Sequence, residues 1–160
     1  MSLSNFERML LLAEEIFDVK QDPNQLDVDQ SVIERLQKIH PAAVSEYDDG
    51  NGPVAWVLVI PTVDELKNKF LDGKITEREL FELTEVGKEY DSIYLCSALV
   101  LKEYRRKGIV KNISLDAIEK IKSRHPIKSL FVWSFSLEGD LCAQNISEQV
   151  SLPLFKLDRK

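Results

Sequence analysis

Hydrophobic residues in the first forty positions recur at the spacing of an α-helix. One stripe runs through residues 5–18, and the sequence Asp22-Pro23-Asn24 interrupts it. A second stripe starts at Asp29 or Ser31 and stops before Pro41, a residue that ends helices. The pattern predicts two amphipathic helices. Their apolar positions are Phe6, Met9, Leu10, Ala13, Ile16 and Phe17 in the first, and Val32, Ile33, Leu36 and Ile39 in the second.

The period then changes to that of a β-strand. Residues 43–47 and 53–60 flank five residues of Asp, Asn and Gly, which predicts a β-hairpin. The second strand is apolar at every position from Val54 to Ile60, as is typical of a central strand that is covered on both faces. The other predicted strands are 92–101, 128–136 and 152–157.

Residues 62–90 have the pattern of two short helices. Thr62 with Glu65, and Thr76 with Glu79, each have the spacing of a capping box, in which Thr caps the helix and Glu reaches back. The many acids of this segment are most simply a solvated face; if the segment covers a substrate cleft, they would favour a cationic amine. These acids include Glu77, Glu79, Glu82, Glu85 and Glu89.

Two more helices, at about 108–123 and 138–149, alternate with the last three strands. The order predicts an α/β fold, in which a mixed central β-sheet is flanked by helices and residues 62–90 are a helical insertion. We expect one domain that spans residues 1–160, because this length suits a single core and nothing resembles a linker.

Composition excludes several classes of protein. The 160 residues are 44% hydrophobic and 30% charged, as in globular proteins. The longest apolar run is far shorter than the roughly 20 residues of a membrane span, so no membrane role is expected. Two cysteines, Cys96 and Cys142, and two histidines do not form the spacing of a zinc site or a disulfide scaffold. With no secretory signal pattern at Met1, we expect a cytoplasmic protein without a metal.

Positive charge is concentrated in one segment. The chain has a net charge of −6, but residues 101–128 hold nine basic and three acidic side chains, and residues 1–100 hold nine and twenty. Such a basic segment is either a site for an anion or a solvated helix face. Nucleic acid is not an expected partner, because the acidic remainder of the chain would repel its phosphates.

A basic turn joins a predicted strand directly to a predicted helix at Gly108. The first turn of a helix offers unpaired N–H groups and the positive end of the helix dipole, so this junction suits a phosphate or pyrophosphate. Glycine allows a close approach of the backbone, and cationic side chains surround it. They are Arg105, Arg106, Lys107 and Lys111.

The sequence Arg105-x-x-Gly108-x-Val110 resembles the acyl-CoA pyrophosphate loop of the GCN5-related N-acetyltransferases, Arg/Gln-x-x-Gly-x-Gly/Ala. The resemblance covers roughly residues 43–157, and it departs from the motif at Val110, whose branched side chain is expected to crowd the phosphates. It implies acetyl-CoA or another acyl-CoA as co-substrate, with the pantetheine arm bound by backbone groups of Leu99 and Leu101. The pyrophosphate would be held by Arg105, Arg106, Lys107, Gly108, Ile109, Val110 and Lys111.

The same resemblance implies direct transfer of an acyl group to an amine on a small molecule or peptide. Cys96 and Ser97 stand where many family members have a carboxylate, and Ser147 stands where many have a tyrosine that protonates the departing thiolate. Serine is a much weaker acid than phenol, whose pKa is about 10. The candidate catalytic residues are Glu46, Tyr94, Cys96 and Ser147. The alternative is a catalytically silent domain that binds CoA or a protein partner.

Four further residues have structural interpretations. Trp56 and Trp133 are assigned to the core, with a place in a substrate pocket as the alternative. His40 and His125 each precede a proline at the end of a helix, where they suit the negative end of the helix dipole.

Overall fold

The computed structural model describes residues 3–19, 30–133 and 136–157. The predicted break at Asp22-Pro23-Asn24 and the helix start at Asp29 lie outside these residues. The helices of the described part are α1 (Asn5–Val19), α2 (Gln30–Ile39), α3 (Asp64–Leu71), α4 (Glu77–Leu83), α5 (Ile109–Lys122) and α6 (Leu137–Val150). The strands are β1 (Val44–Asp48), β2 (Pro53–Thr62), β3 (Ser92–Val100), β4 (Ser129–Trp133) and β5 (Leu154–Leu157).

The five strands form one mixed sheet in the order β1-β2-β3-β4-β5. Strand β2 is antiparallel to both of its neighbours, β1 and β3. Strands β3, β4 and β5 run parallel to one another. Helices α5 and α6 make the two parallel connections. The predicted α/β fold with a mixed central sheet is therefore confirmed. None of the helices in the described ranges is long and apolar enough to cross a membrane.

The main core lies around β2 and β3, as their apolar sequences predict. Nine of the ten residues of β2 are buried, and only Trp56 is partly exposed. Helices α2 and α5 pack against β1 and β2, and α5 also contacts α6. Ile118 and Ile121 of α5 are fully buried there. The burial of this apolar surface is the main stabilising contribution to the fold.

The inserted helices α3 and α4 cover the sheet on the face of Tyr94 and Phe131. The ring of Phe70 on α3 lies 5.1 Å from that of Tyr94 and 5.8 Å from that of Phe131. The capping box predicted at Thr76 is present. The one predicted at Thr62 is wrong, because Thr62 is the last residue of β2 and its hydroxyl bonds that of Thr84 at 2.8 Å.

Helix α1 buries a narrower stripe than its sequence predicts. Met9 is fully buried in a small apolar cluster with Val54 and Leu99, whereas Phe6 and Leu10 are about half exposed. The side chains of the predicted core residues at positions 16 and 17 lie outside the described part of the chain. One turn of α1 is therefore enough to cover the end of the β2–β3 pair.

Both histidines lie together beside the main core. The ring of His40 lies 5.9 Å from that of His125. Nδ1 of His40 accepts a hydrogen bond from the N–H of Ala42 at 3.0 Å, and Nδ1 of His125 accepts one from the N–H of Tyr90 at 3.3 Å. Each ring thus uses Nδ1 to accept from a backbone N–H group, which is not the expected interaction with the end of a helix dipole. Burial, and then the charges of His125 and Arg124, lower the pKa of His40.

We predict that acidification destabilises the protein through His40. The unfolded chain binds this proton near pH 6.5, above the folded-state pKa, so the free energy of unfolding decreases as the pH falls below about 6.5. His40→Asn keeps an acceptor for Ala42 but does not titrate. Thermal unfolding at pH 7.5 and 5.5 should show a smaller decrease in Tm for the variant. Equal decreases in both proteins would contradict the assignment.

Candidate functional site

A cleft of about 530 Å³ lies beside the second half of β3. The described pairing between β3 and β4 ends at Leu95 and Val132, although β3 continues to Val100. The walls of the cleft come from β2, β3, β4 and from helices α4, α5 and α6. The cavity therefore lies at the carboxyl ends of two parallel strands, where α/β sheets commonly bind ligands.

A β-bulge at Cys96 lies next to the last described pair between β3 and β4. On one side of it Ser97 pairs with Leu58, and on the other Leu95 pairs with Val59, so Cys96 has no partner on β2. A bulge bends its strand and increases the local twist. The bulge thus lies between the part of β3 that pairs with the described residues of β4 and the part that borders the cleft through Ser97, Ala98 and Val100.

The cleft exposes one backbone edge of β3. The N–H of Leu101 donates to the carbonyl of Val54 on β2 at 2.9 Å. Because backbone groups alternate between the two edges of a strand, those of Leu99 also face β2, whereas those of Ala98 and Val100 face the cleft. None of the described residues of β4 pairs with them. Leu99 and Leu101 were expected to offer their backbone groups to a ligand. The register with β2 instead assigns the open edge to Ala98 and Val100, each one residue earlier in the chain.

The start of α5 forms the outer end of the cleft. Gly108 precedes the helix with a φ of 76°, and Arg106 also has a positive φ, of 64°. No side chain of the described residues caps α5, and its first turn holds no acid. The N–H groups of this turn, with the dipole, favour an anion. Strain at a non-glycine residue such as Arg106 is often retained at binding sites.

Basic side chains surround this helix start as the sequence predicts. Arg105, Arg106 and Lys111 line the cleft together with Gly108, and the ammonium of Lys107 lies 5.4 Å from the ring centre of Tyr104. The side chains of Leu99 and Leu101 lie instead in the apolar cluster under α1.

Val110 does not close the site. Its half-buried side chain packs against the main core while the residue also borders the cleft. The expected crowding of phosphates by this branched side chain stays a prediction.

Two contacts hold the basic turn against the rest of the protein. The hydroxyl of Tyr104 donates to Asp49 in the β1–β2 hairpin, and Arg8 of α1 pairs with Glu103 at 2.6 Å. The bond from Tyr104 lowers the pKa of Asp49, and the carboxylate raises the pKa of Tyr104. These contacts position the turn between the hairpin and the first helix.

A buried carboxylate forms part of the inner end of the cleft. Glu77, the first residue of α4, is only 3% exposed and borders the cavity. The hydroxyl of Tyr94 donates to its Oε2 at 2.5 Å. The nearby thiol of Cys96 has a pKa well above its usual value, because of burial first and the charge of Glu77 second. Glu77 therefore lies close to the bulge.

The four candidate catalytic residues occupy different places. Cys96 borders the cleft, and Tyr94 is fully buried against Glu77. Glu46 lies on the exposed side of β1, where it accepts from the indole N–H of Trp56 at 3.3 Å, and Ser147 donates to the carbonyl of Leu152 at 2.5 Å. Neither Glu46 nor Ser147 borders the cleft.

Two residues border the cleft although the sequence interpretation first placed them elsewhere, and for Trp133 the substrate pocket was the stated alternative. Glu77 was assigned to a solvated face, and Trp133, which borders the cavity, to the core. A signal for Glu77 is present in the sequence. The capping box sets the start of α4, and Glu77 then shares a helix face with the buried residues Leu80 and Phe81 at the i+3 and i+4 positions.

Comparison with known proteins shows the fold. No family model matches the chain, and no match is found among curated proteins. The solved structure of an aminoglycoside acetyltransferase from an uncultured soil metagenomic sample, in complex with trehalose, matches it with a TM-score of 0.50 and 14% identity. The match covers 91% of this chain and 82% of that chain. The protein thus has an α/β fold that resembles an acetyltransferase. Within the described ranges, no cluster of His, Cys, Asp and Glu could hold a metal ion.

We predict that the negative charge of Glu77 slows the alkylation of the Cys96 thiol. In a Cys142→Ser background, iodoacetamide should react slowly with Cys96 at pH 8, because its raised pKa leaves little thiolate. Glu77→Gln removes the negative charge, lowers that pKa and should speed the reaction severalfold, as measured by mass spectrometry of the labelled protein. Glu82→Gln, on the exposed side of α4, is the matched control. A rate that Glu77→Gln leaves unchanged would refute the proximity.

Proposed function

We propose that the protein binds an acyl-CoA in the cleft and transfers the acyl group directly to an amine. The observation that carries the proposal is the continuity of the cleft. It begins at the uncapped, cationic start of α5, follows the open backbone edge of β3 and ends beside Glu77. A pyrophosphate with a long polar arm and a reactive thioester matches this sequence of environments.

The pyrophosphate would lie at the first turn of α5. Backbone N–H groups of Gly108 to Lys111 would donate to its oxygens, and the three basic side chains that border the cleft would offset its charge. This arrangement supports the anion-site interpretation of the basic segment over a solvated helix face.

The pantetheine arm would extend along β3. Its amide groups would pair with the N–H and C=O groups of Ala98 and Val100, as a neighbouring strand does. From Val100 to Cys96 the strand covers about 13 Å, at roughly 3.3 Å per residue. An extended arm would therefore bring the thioester from the helix start to the bulge near Glu77.

Transfer requires a neutral amine beside the thioester carbonyl. The nitrogen attacks the carbonyl carbon, the carbon–sulfur bond breaks, and the thiolate takes up a proton. Holding both reactants in one cleft replaces an encounter in solution, and backbone N–H groups of β3 beside the bulge would stabilise the oxyanion that develops. The acetyltransferase with the similar fold supports acyl transfer in general, and its aminoglycoside substrate suggests a small-molecule amine here.

A silent CoA-binding domain is the second candidate. It is favoured by Ser147, whose hydroxyl is committed to the carbonyl of Leu152 and so does not protonate a departing thiolate. Release of CoA thiol in the presence of amines distinguishes the two candidates, since a silent domain binds acetyl-CoA without turnover.

We predict that Gly108→Asp abolishes CoA binding and preserves the fold. Aspartate is a good N-cap, so its carboxylate would bond the free N–H groups of α5 and occupy the anion site. Gly108→Ala is the control for backbone strain at a φ of 76°, which costs about 1 kcal/mol, and its Cβ meets only Asn112 at 3.9 Å.

Thermal unfolding with and without CoA measures both variants. A ligand at a hundred times its Kd contributes about 2.7 kcal/mol, or a rise in Tm of about 5–10 °C for this chain length. Wild type and Gly108→Ala should show the rise, and Gly108→Asp should not. The same rise in Tm for Gly108→Asp would contradict the assignment of the anion site.

A further inference from the structure

The inserted segment 62–90 brings one acid into a cleft that its other acids do not border. Glu77 borders the cavity, whereas Glu79, Glu82, Glu85 and Glu89 are exposed to solvent. A buried carboxylate loses much of its hydration, so it must be compensated by hydrogen bonds or by an approaching cation. Its position is therefore a feature of this site and not of a general acidic surface.

The surrounding aromatic residues hold this carboxylate in place. Tyr94 donates its hydroxyl to Glu77, and the ring of Tyr94 packs 5.1 Å from that of Phe70 and 5.1 Å from that of Phe131. The capping box at Thr76 sets where α4 begins. The rotamer of Glu77 is thus constrained from both the sheet and its own helix, as an orienting site for a substrate requires.

The cleft is basic at the start of α5 and apolar around the buried carboxylate of Glu77. Arg105, Arg106 and Lys111 border it at the start of α5, while the inner wall near Glu77 is formed by apolar residues of β2 and β3. Two further acids, Glu138 and Asp140, border the cleft from the first turn of α6. Glu138 and Lys111 both act on the thiol of Cys142, so this acid lies beside the basic end, whereas Glu77 borders the inner, apolar wall. An anionic cofactor at the start of α5 and a cationic acceptor at Glu77 would then occupy different parts of the cleft.

We propose that Glu77, oriented by Tyr94, binds the ammonium group of a cationic acceptor amine and accepts its proton before attack on the thioester. This inference rests on the proposed acyl transfer. The proton moves from nitrogen to the carboxylate, and the freed electron pair forms the new carbon–nitrogen bond. The carbon–sulfur bond then breaks, a second proton from nitrogen passes to the thiolate, and Glu77 returns its proton to water. The inserted helices thus supply the acceptor site, and the substrate class is a cationic alkylamine.

Glu77→Gln tests the proposal, because glutamine keeps the shape and an oxygen that accepts from Tyr94. The control is Glu82→Gln, which alters an exposed acid of the same helix. Binding of acetyl-CoA is measured first by thermal unfolding. Release of CoA thiol is then followed with kanamycin, butylamine and a lysine-containing peptide, which are cationic at pH 7.5, and with aniline, which is neutral there.

We expect both variants to bind acetyl-CoA within twofold of wild type. For the cationic amines, Glu77→Gln should lower kcat/KM by about 100-fold or more, the usual effect of losing a general base. Its rate with aniline should change much less, and Glu82→Gln should match wild type throughout.

Three results would overturn the proposal. They are an unchanged rate of Glu77→Gln with cationic amines, an equal loss for aniline, and a wild type that binds acetyl-CoA yet acylates none of the cationic probes. Failure of wild type itself to bind acetyl-CoA is recognised separately, because its Tm then does not rise when acetyl-CoA is added. It refutes the proposed function, and with it the assignment of Glu77.

Discussion

The open edge of β3 determines the rest of the site. A parallel sheet satisfies its backbone groups by pairing, and among the described residues β3 pairs with β4 only as far as Leu95, just before the bulge at Cys96. Backbone N–H and C=O groups require partners, and on an open edge such as that of Ala98 and Val100 these are water or a ligand. The cleft, its length and the extended shape of any molecule that fills it follow from this break in the ladder.

The charged groups of the cleft are arranged along that edge. The α5 end is positive through an uncapped helix start and basic side chains, and it is held by the bond from Tyr104 to Asp49 and the pair of Arg8 with Glu103. The inner end carries Glu77, which reaches the cleft only because α3 and α4 cover the sheet there. A segment that interrupts the order of strands thus completes the site.

The sequence predicted what depends on local pattern. Alternating and continuous apolar runs located the hairpin and the parallel strands, and the pattern around Gly108 located the basic start of α5. The sequence-based predictions failed where contacts with residues distant in the chain determine the structure. Thr62 has the spacing of an N-cap, but pairing with β3 keeps it in the sheet. Leu99 and Leu101 were assigned the open edge, yet their register with β2 turns Ala98 and Val100 outward. Glu77 looked like a surface acid because its contact with Tyr94 joins residues from two elements.

Amide hydrogen exchange of β3, resolved by NMR with and without saturating CoA, tests the central claim most directly. If the pantetheine arm occupies the open edge, the N–H groups of Ala98 and Val100 become protected on binding. The N–H of Leu99, already paired with β2, should change little and serves as the internal control. Unchanged exchange at Ala98 and Val100 in the presence of saturating CoA would contradict the account.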